Sequence, residues 1–139
     1  MSAGALKLRN GGTESEKLTI NLGFVDLGHI DLLVRDGFYA NRSDFIRTAI
    51  RNHLASLATE TKKSVTRQTL ELGIRHYTRA DLERARAAGE RLQIKVLGLA
   101  SIADDVSPAL ALATIESMTV LGAFHASPRL KAALAGRLT

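Results

Sequence analysis

The stretch that decides the fold is EKLTINL, residues 16–22. Its apolar and polar side chains alternate, and a period of two predicts a β-strand with one apolar and one polar face. The polar positions are Lys17, Thr19 and Asn21, and the apolar positions are Leu18, Ile20 and Leu22. A strand of this kind can belong to an ordinary mixed sheet, or it can pair with one other strand in a two-stranded ribbon. The residues that follow the strand distinguish these two interpretations.

Two helices are predicted after this strand, and no second strand is predicted before residue 60. Apolar residues recur at helical spacing over 24–34, and Gly37 is a suitable residue to end that helix. Asn41 is a typical N-terminal cap for a second helix, which has an apolar stripe over 45–57. A lone strand leaves its backbone N–H and C=O groups unpaired. The simplest partner is therefore the same strand of a second copy, antiparallel across a two-fold axis.

Two such strands would form a ribbon with the polar side chains of both copies on one face. A two-stranded ribbon fits the major groove of B-DNA, where lysine can donate to guanine and asparagine can bridge adenine. The free N–H groups at the start of the second helix, beside Arg42, form an anion site suited to a DNA phosphate. A segment of about 45 residues buries too little apolar surface to fold alone, so we expect two chains to share one core.

This order of a strand, a helix, a polar turn and a helix resembles the ribbon-helix-helix DNA-binding family of the MetJ, Arc and CopG type. The resemblance covers 16–58 and rests on KLTINL at 17–22, DLLVRDGFYANRSDFIRTAI at 31–50 and the cap at Asn41. It implies an intertwined homodimer whose strands read bases and whose second helix holds the phosphate backbone. By position, the base contacts are Lys17, Thr19 and Asn21, and the phosphate contacts are Asn41, Arg42 and Ser43. The dimer core is expected to contain Leu18, Ile20, Leu22, Leu27, Ile30, Phe45, Ile46, Ile50 and Leu54.

Beyond this segment, residues 61–67 have no hydrophobic period and are interpreted as a linker. A repeat then begins, in which Leu72-Gly73, Leu97-Gly98 and Leu121-Gly122 lie 25 and 24 residues apart. Each pair ends a short apolar alternation and is followed by a residue that can cap a helix, namely Thr78, Ser107 or Ser127.

The repeat predicts a strand, a turn and a short helix, three times over, in a small β/α repeat domain at 68–139 with a parallel sheet. Leucines at matching places in the units are expected to share one core: Leu97, Leu110, Leu121 and Leu130. A compact α+β sensor domain that binds a small ligand is the alternative architecture for this region.

Composition narrows the function classes. The 139 residues include no cysteine, carry a net charge of +5 and contain no apolar run long enough for a membrane span. Residues 1–15 lack the apolar core of a secretion signal and are expected to form a flexible arm. Neither a phosphate-binding glycine loop nor a hydrolase or zinc-protease motif is present, and the four histidines lack ligand spacing. We therefore expect a cytoplasmic protein that is not an enzyme and has no metal or cofactor.

The combined prediction is an α+β chain: an N-terminal ribbon-helix-helix DNA-binding domain at 16–60, present as an intertwined dimer, followed by a small C-terminal β/α repeat domain. Its expected function is sequence-specific binding of double-stranded DNA by a transcriptional regulator, in the form of a repressor. The active species would be a homodimer or a higher oligomer. Residues 68–139 would join dimers or contact a protein partner. The alternatives are the antitoxin of a toxin–antitoxin pair and a DNA-anchored polymerising scaffold.

Overall fold

The computed structural model describes residues 15–139, so the predicted arm lies outside the described residues except for its last position. The helices are α1 (Phe24–Arg35), α2 (Arg42–Ser56), α3 (Ala58–Gln68), α4 (Arg79–Ala87), α5 (Pro108–Thr114) and α6 (Pro128–Leu134). The strands are β1 (Glu71–Tyr77), β2 (Leu92–Ile102) and β3 (Ile115–His125), and a 3-10 turn follows at Ala135–Arg137. This mixture of helices and strands confirms the predicted α+β class. Contacts divide the described chain into two units, 15–64 and 65–139.

Local capping sets the ends of the two helices in the first unit. Gly37, with φ of +86°, ends α1, and the N–H of Phe38 donates to the carbonyl of Leu33 at 3.0 Å. The Asn41 side chain accepts the N–H of Asp44 at 2.8 Å and so begins α2. Both boundaries match the sequence prediction, because a helix cap is a local signal.

The segment predicted as a linker is helical and belongs to α3, within which the boundary between the two units falls. Alanine, glutamate, lysine, arginine and glutamine favour a helix even where no apolar stripe exists. The helix ends at Thr69, whose φ of +54° is unusual for a β-branched residue. At this end the N–H of Leu70 donates to the carbonyl of Val65 at 3.0 Å.

The second unit is a three-stranded parallel sheet in the order β1-β2-β3. The three Leu-Gly pairs lie side by side, with Leu72 beside Leu97 and Leu97 beside Leu121. Helix α4 packs beside α5, and α5 beside α6. Their apolar residues meet alternate strand residues in one core, which includes Leu82, Ile94, Val96, Ala100, Ile102, Leu110, Met118, Leu130 and Leu134.

Two details of the repeat prediction are wrong. The Leu-Gly pairs lie inside the strands and not at their ends, because glycine adopts the positive φ that continues each strand: +116°, +140° and +124° at Gly73, Gly98 and Gly122. The four matched leucines do not share one core. Leu110 and Leu130 are buried, whereas Leu121 points to the other face of the sheet and is 47% exposed.

Candidate nucleic-acid interface

Residues 15–23, which contain the predicted strand, have no regular secondary structure within a single chain. Leu18, Ile20 and Leu22 are 81%, 53% and 40% exposed. Three exposed apolar side chains at alternate positions leave apolar surface in water, which is unfavourable for a lone chain. The predicted pairing lies between two chains and stays a prediction, and the polar positions Lys17, Thr19 and Asn21 are also exposed.

The remaining predicted dimer-core residues are only partly covered within one chain. Ile30 is 6% exposed, and it is the single buried apolar residue in 15–64. Leu27, Phe45 and Ile46 are half-buried, and Phe45 contacts the ring of Tyr39 edge to face. The last two predicted core residues, Ile50 and Leu54, are 48% and 58% exposed. One buried side chain is too little to hold two helices together.

The start of α2 has the geometry of an anion site. The N–H groups of Arg42 and Ser43 donate to no atom within residues 15–139, because the Asn41 cap satisfies Asp44 and the first helical bond belongs to Phe45. Free N–H groups at a helix N-terminus attract a phosphate oxygen. Asn41, Arg42 and Ser43 are consecutive at this helix start, and the Asn41 side chain is already used as the cap. Their role as phosphate contacts stays a prediction.

Arg42 has a partner that the sequence did not reveal. Its Nε and Nη2 atoms donate to the two carboxylate oxygens of Asp31 in α1, both at 2.8 Å. Both side chains are exposed, so the pair contributes little to stability, but it orients the guanidinium at the α1–α2 corner. The two residues are 11 apart and lie on different helices, and no helical spacing rule links such positions. A phosphate that approaches α2 has to compete with Asp31 for Arg42.

The ion pair between Asp31 and Arg42 also shifts the pKa values of both side chains. Hydrogen bonds from Arg42 hold the pKa of Asp31 below its ordinary value of 3.8, and Asp31 raises the pKa of Arg42. Because the folded pKa of Asp31 is depressed, the stabilisation by the pair is present above pH 3.8 and is lost as the pH falls below it. We expect Arg42→Ala to raise the Asp31 pKa, as measured by carboxyl NMR titration. Equal midpoints in parent and variant would contradict this pairing in solution.

Additional positive charge lies along α2. Arg47 and Arg51 are four residues apart, which places them on one face of the helix, and both are exposed. Neither has an acidic partner among residues 15–139. Exposed arginines without an acidic partner in this range, on the helix that begins at the predicted phosphate site, favour association with a polyanion.

No helix in 15–139 is long and apolar enough to cross a membrane. The same part of the chain contains no cluster of three or more His, Cys, Asp or Glu side chains that could hold a metal ion. His76 and His125 flank Ser101 in one row across the sheet, and the Nδ1 atom of His76 lies 2.7 Å from the Ser101 hydroxyl.

Comparison with known families covers much more of the chain than the N-terminal resemblance does. The profile of the ribbon-helix-helix transcriptional regulator family matches residues 13–131. It therefore includes the two N-terminal helices and most of the second unit, 65–139, which is called the β/α unit below. Searches of curated proteins and of solved structures each gave no match. Because the family match spans most of its length, the chain belongs to the ribbon-helix-helix transcriptional regulator family, whose members bind DNA as dimers.

Proposed function

We propose that this protein is a sequence-specific DNA-binding regulator that acts as a homodimer, with residues 17–22 of two chains paired as an antiparallel ribbon in the major groove. One observation carries the proposal. Leu18, Ile20 and Leu22 are exposed at alternate positions before a helical pair that has one buried apolar residue. A second copy would cover this apolar row and pair the unpaired backbone at the same time.

The polar face of the ribbon supports direct reading of bases. Pairing through the apolar positions places Lys17, Thr19 and Asn21 of both chains on the opposite face. Asparagine can bond the N6 and N7 atoms of adenine, and lysine can donate to the O6 and N7 atoms of guanine. The ribbon would then be held in register by phosphates bound at Arg42 and Ser43 at the start of each α2.

The proposed regulator is a repressor located in the cytoplasm. A dimer that covers a promoter blocks access to it, which makes repression the simplest outcome of binding.

Members of the family are typically not enzymes. Residues 68–139 would join dimers or contact a protein partner. The antitoxin alternative is less well supported, because the β/α unit has its own apolar core and does not require a toxin to fold.

Base-contact and phosphate-contact variants give different results if the roles are correct. We expect Asn21→Ala and Thr19→Ala to lower discrimination between DNA sequences by about 1–3 kcal/mol for each base contact that is lost. Arg42→Ala is expected to weaken binding to all sequences alike and to reduce the salt slope by about one unit. Titrations of selected and scrambled duplexes at several salt concentrations measure both quantities. If Arg42→Ala changed sequence preference and Asn21→Ala did not, the assigned roles would be wrong.

A further inference from the structure

Among residues 15–139, no strand lies beyond β1 in the sheet of the β/α unit, so β1 has an open edge within this range. The carbonyl of Tyr77 accepts the N–H of Ala103 and so points toward β2. Strand geometry turns the alternate residues Leu72, Ile74 and His76 the other way, with their backbone N–H and C=O groups at the outer edge. These groups have no backbone partner within residues 15–139. An unpaired row of this kind is a template for another strand.

The opposite edge, on β3, is open over only part of its length. The carbonyl of Met118 accepts the N–H of Thr139 at 2.8 Å, and Met118 also forms a parallel bridge with Leu138. The end of the chain therefore covers the start of this edge. From Val120 to His125 the edge has no strand partner within the part of the chain that the structure describes.

The two edges that are open within residues 15–139 match in length and register. Residues 71–77 of β1 pair with 96–102 of β2, and 96–101 of β2 pair with 120–125 of β3. If the same register continued one strand further, β1 of another copy would lie along 120–125. It would begin just past the bridge at Met118, and its Leu72-Gly73 would lie beside Leu121-Gly122.

The glycine row gives independent support. A Cβ atom at Gly98 would lie 2.1 Å from the carbonyl oxygen of Gly73, and one at Gly122 would lie 2.1 Å from that of Gly98. Each of these glycines thus accommodates the carbonyl of the preceding strand. Gly73 has the same backbone conformation, with φ of +116°, but a Cβ there would meet nothing within 4 Å. The carbonyls of Gly122 and Met118 both point away from β2, toward the outer edge of β3. In the continued sheet, the Gly122 carbonyl would occupy the open space next to Gly73 of another copy.

We propose that β1 of one copy pairs in parallel with residues 120–125 of another, so that the sheet continues from copy to copy. The interface is heterologous, since the two edges differ, and it forms open chains unless a ring closes. It would place Leu121 beside Leu72, which are 47% and 68% exposed in the single chain. This association is independent of DNA binding. When the copies are also paired through residues 17–22, this contact between β/α units would link one dimer to the next. Binding to adjacent DNA sites would then be cooperative.

Single-cysteine variants of the full chain test the pairing directly, because the natural sequence has no cysteine. Leu72→Cys and Leu121→Cys are mixed under mild oxidation. Aligned residues on neighbouring strands are about 5 Å apart, within the range for a disulfide. We expect cross-links between the two variants in the mixture and few in either variant alone. Self-linking of Leu72→Cys would indicate β1–β1 pairing, self-linking of a Leu97→Cys variant would indicate face-to-face packing, and both would overturn the proposal. Absence of all cross-links would overturn it too.

A glycine variant tests the same contact without cross-linking. Gly73→Ala is expected to remove every species larger than the dimer in sedimentation velocity, because the added methyl group occupies the position of the Gly122 carbonyl. Gly89→Ala is the matched control, since Gly89 also has positive φ and open space but lies away from the strands. Far-UV circular dichroism shows whether both variants are folded. A folded Gly73→Ala that assembles like the parent would contradict the proposal, and if it fails to fold, the cysteine pair still decides.

Discussion

Replacing Gly98 by alanine is expected to prevent the β/α unit from folding. The new Cβ atom would lie 2.1 Å from the carbonyl oxygen of Gly73, in a backbone conformation with φ of +140° that L-residues rarely adopt. The clashing atom belongs to the backbone of the neighbouring strand, so relief requires β1 and β2 to separate. We expect a loss of more than about 4 kcal/mol, which exceeds the usual effect of a single substitution.

Gly89→Ala serves as the control for the backbone effect alone. Gly89 has φ of +70° after α4, and a Cβ there would meet nothing within 4 Å. Its cost should be limited to the left-handed conformation, about 1–2 kcal/mol. Urea unfolding followed by circular dichroism measures both variants. If Gly98→Ala and Gly89→Ala unfolded at the same urea concentration, the close approach of β1 and β2 at the glycine row would be wrong.

The second large effect is expected at Leu130. This side chain is fully buried where α6 packs in the core, so Leu130→Ala should reduce the free energy of unfolding by about 2–5 kcal/mol. Leu121, in the Leu-Gly pair of β3, was predicted to share this core but is 47% exposed on the other face of the sheet. Leu121→Ala should therefore cost about 0.5 kcal/mol or less when copies are too dilute to associate through their β/α units.

Urea unfolding of the two leucine variants at low protein concentration separates these outcomes. If Leu121→Ala lowered the free energy of unfolding as much as Leu130→Ala, the placement of Leu121 on the face of the sheet opposite the core would be wrong. Neither leucine lies in the ribbon-helix-helix segment, so both variants should remain dimeric through that segment. Sedimentation measures whether they do.

The features that could be predicted from the sequence are those with local or repeated causes. Asn41 and Gly37 act through their own side chain or backbone, so the limits of α1 and α2 could be predicted from a few neighbouring residues. The Leu-Gly pairs recur at a nearly constant spacing, and residues at equal places in a repeat become neighbours when the units stack.

The features that escaped prediction depend on which face or which chain a residue meets. In β2, Val96 and Leu97 are both apolar, so alternation could not show that Val96 enters the core while Leu97 lies on the opposite face. The pair of Asp31 with Arg42 depends on the packing of α1 against α2. The helix at Ala58–Gln68 lacks an apolar stripe, so its residue propensities were the only available signal. The proposed ribbon requires a second chain, so the structure of a single chain does not test it.

The most direct test of the account is NMR on a mixture of isotope-labelled and unlabelled copies of the full chain. Filtered experiments then detect only contacts between different chains. We predict contacts between the backbones of residues 17–22 of the two copies, with the register of an antiparallel pair, and shifts of Lys17, Thr19 and Asn21 when DNA is added. Contacts of residues 17–22 with their own chain alone, or none at all in a folded dimer, would contradict the ribbon and the DNA-binding role assigned to it.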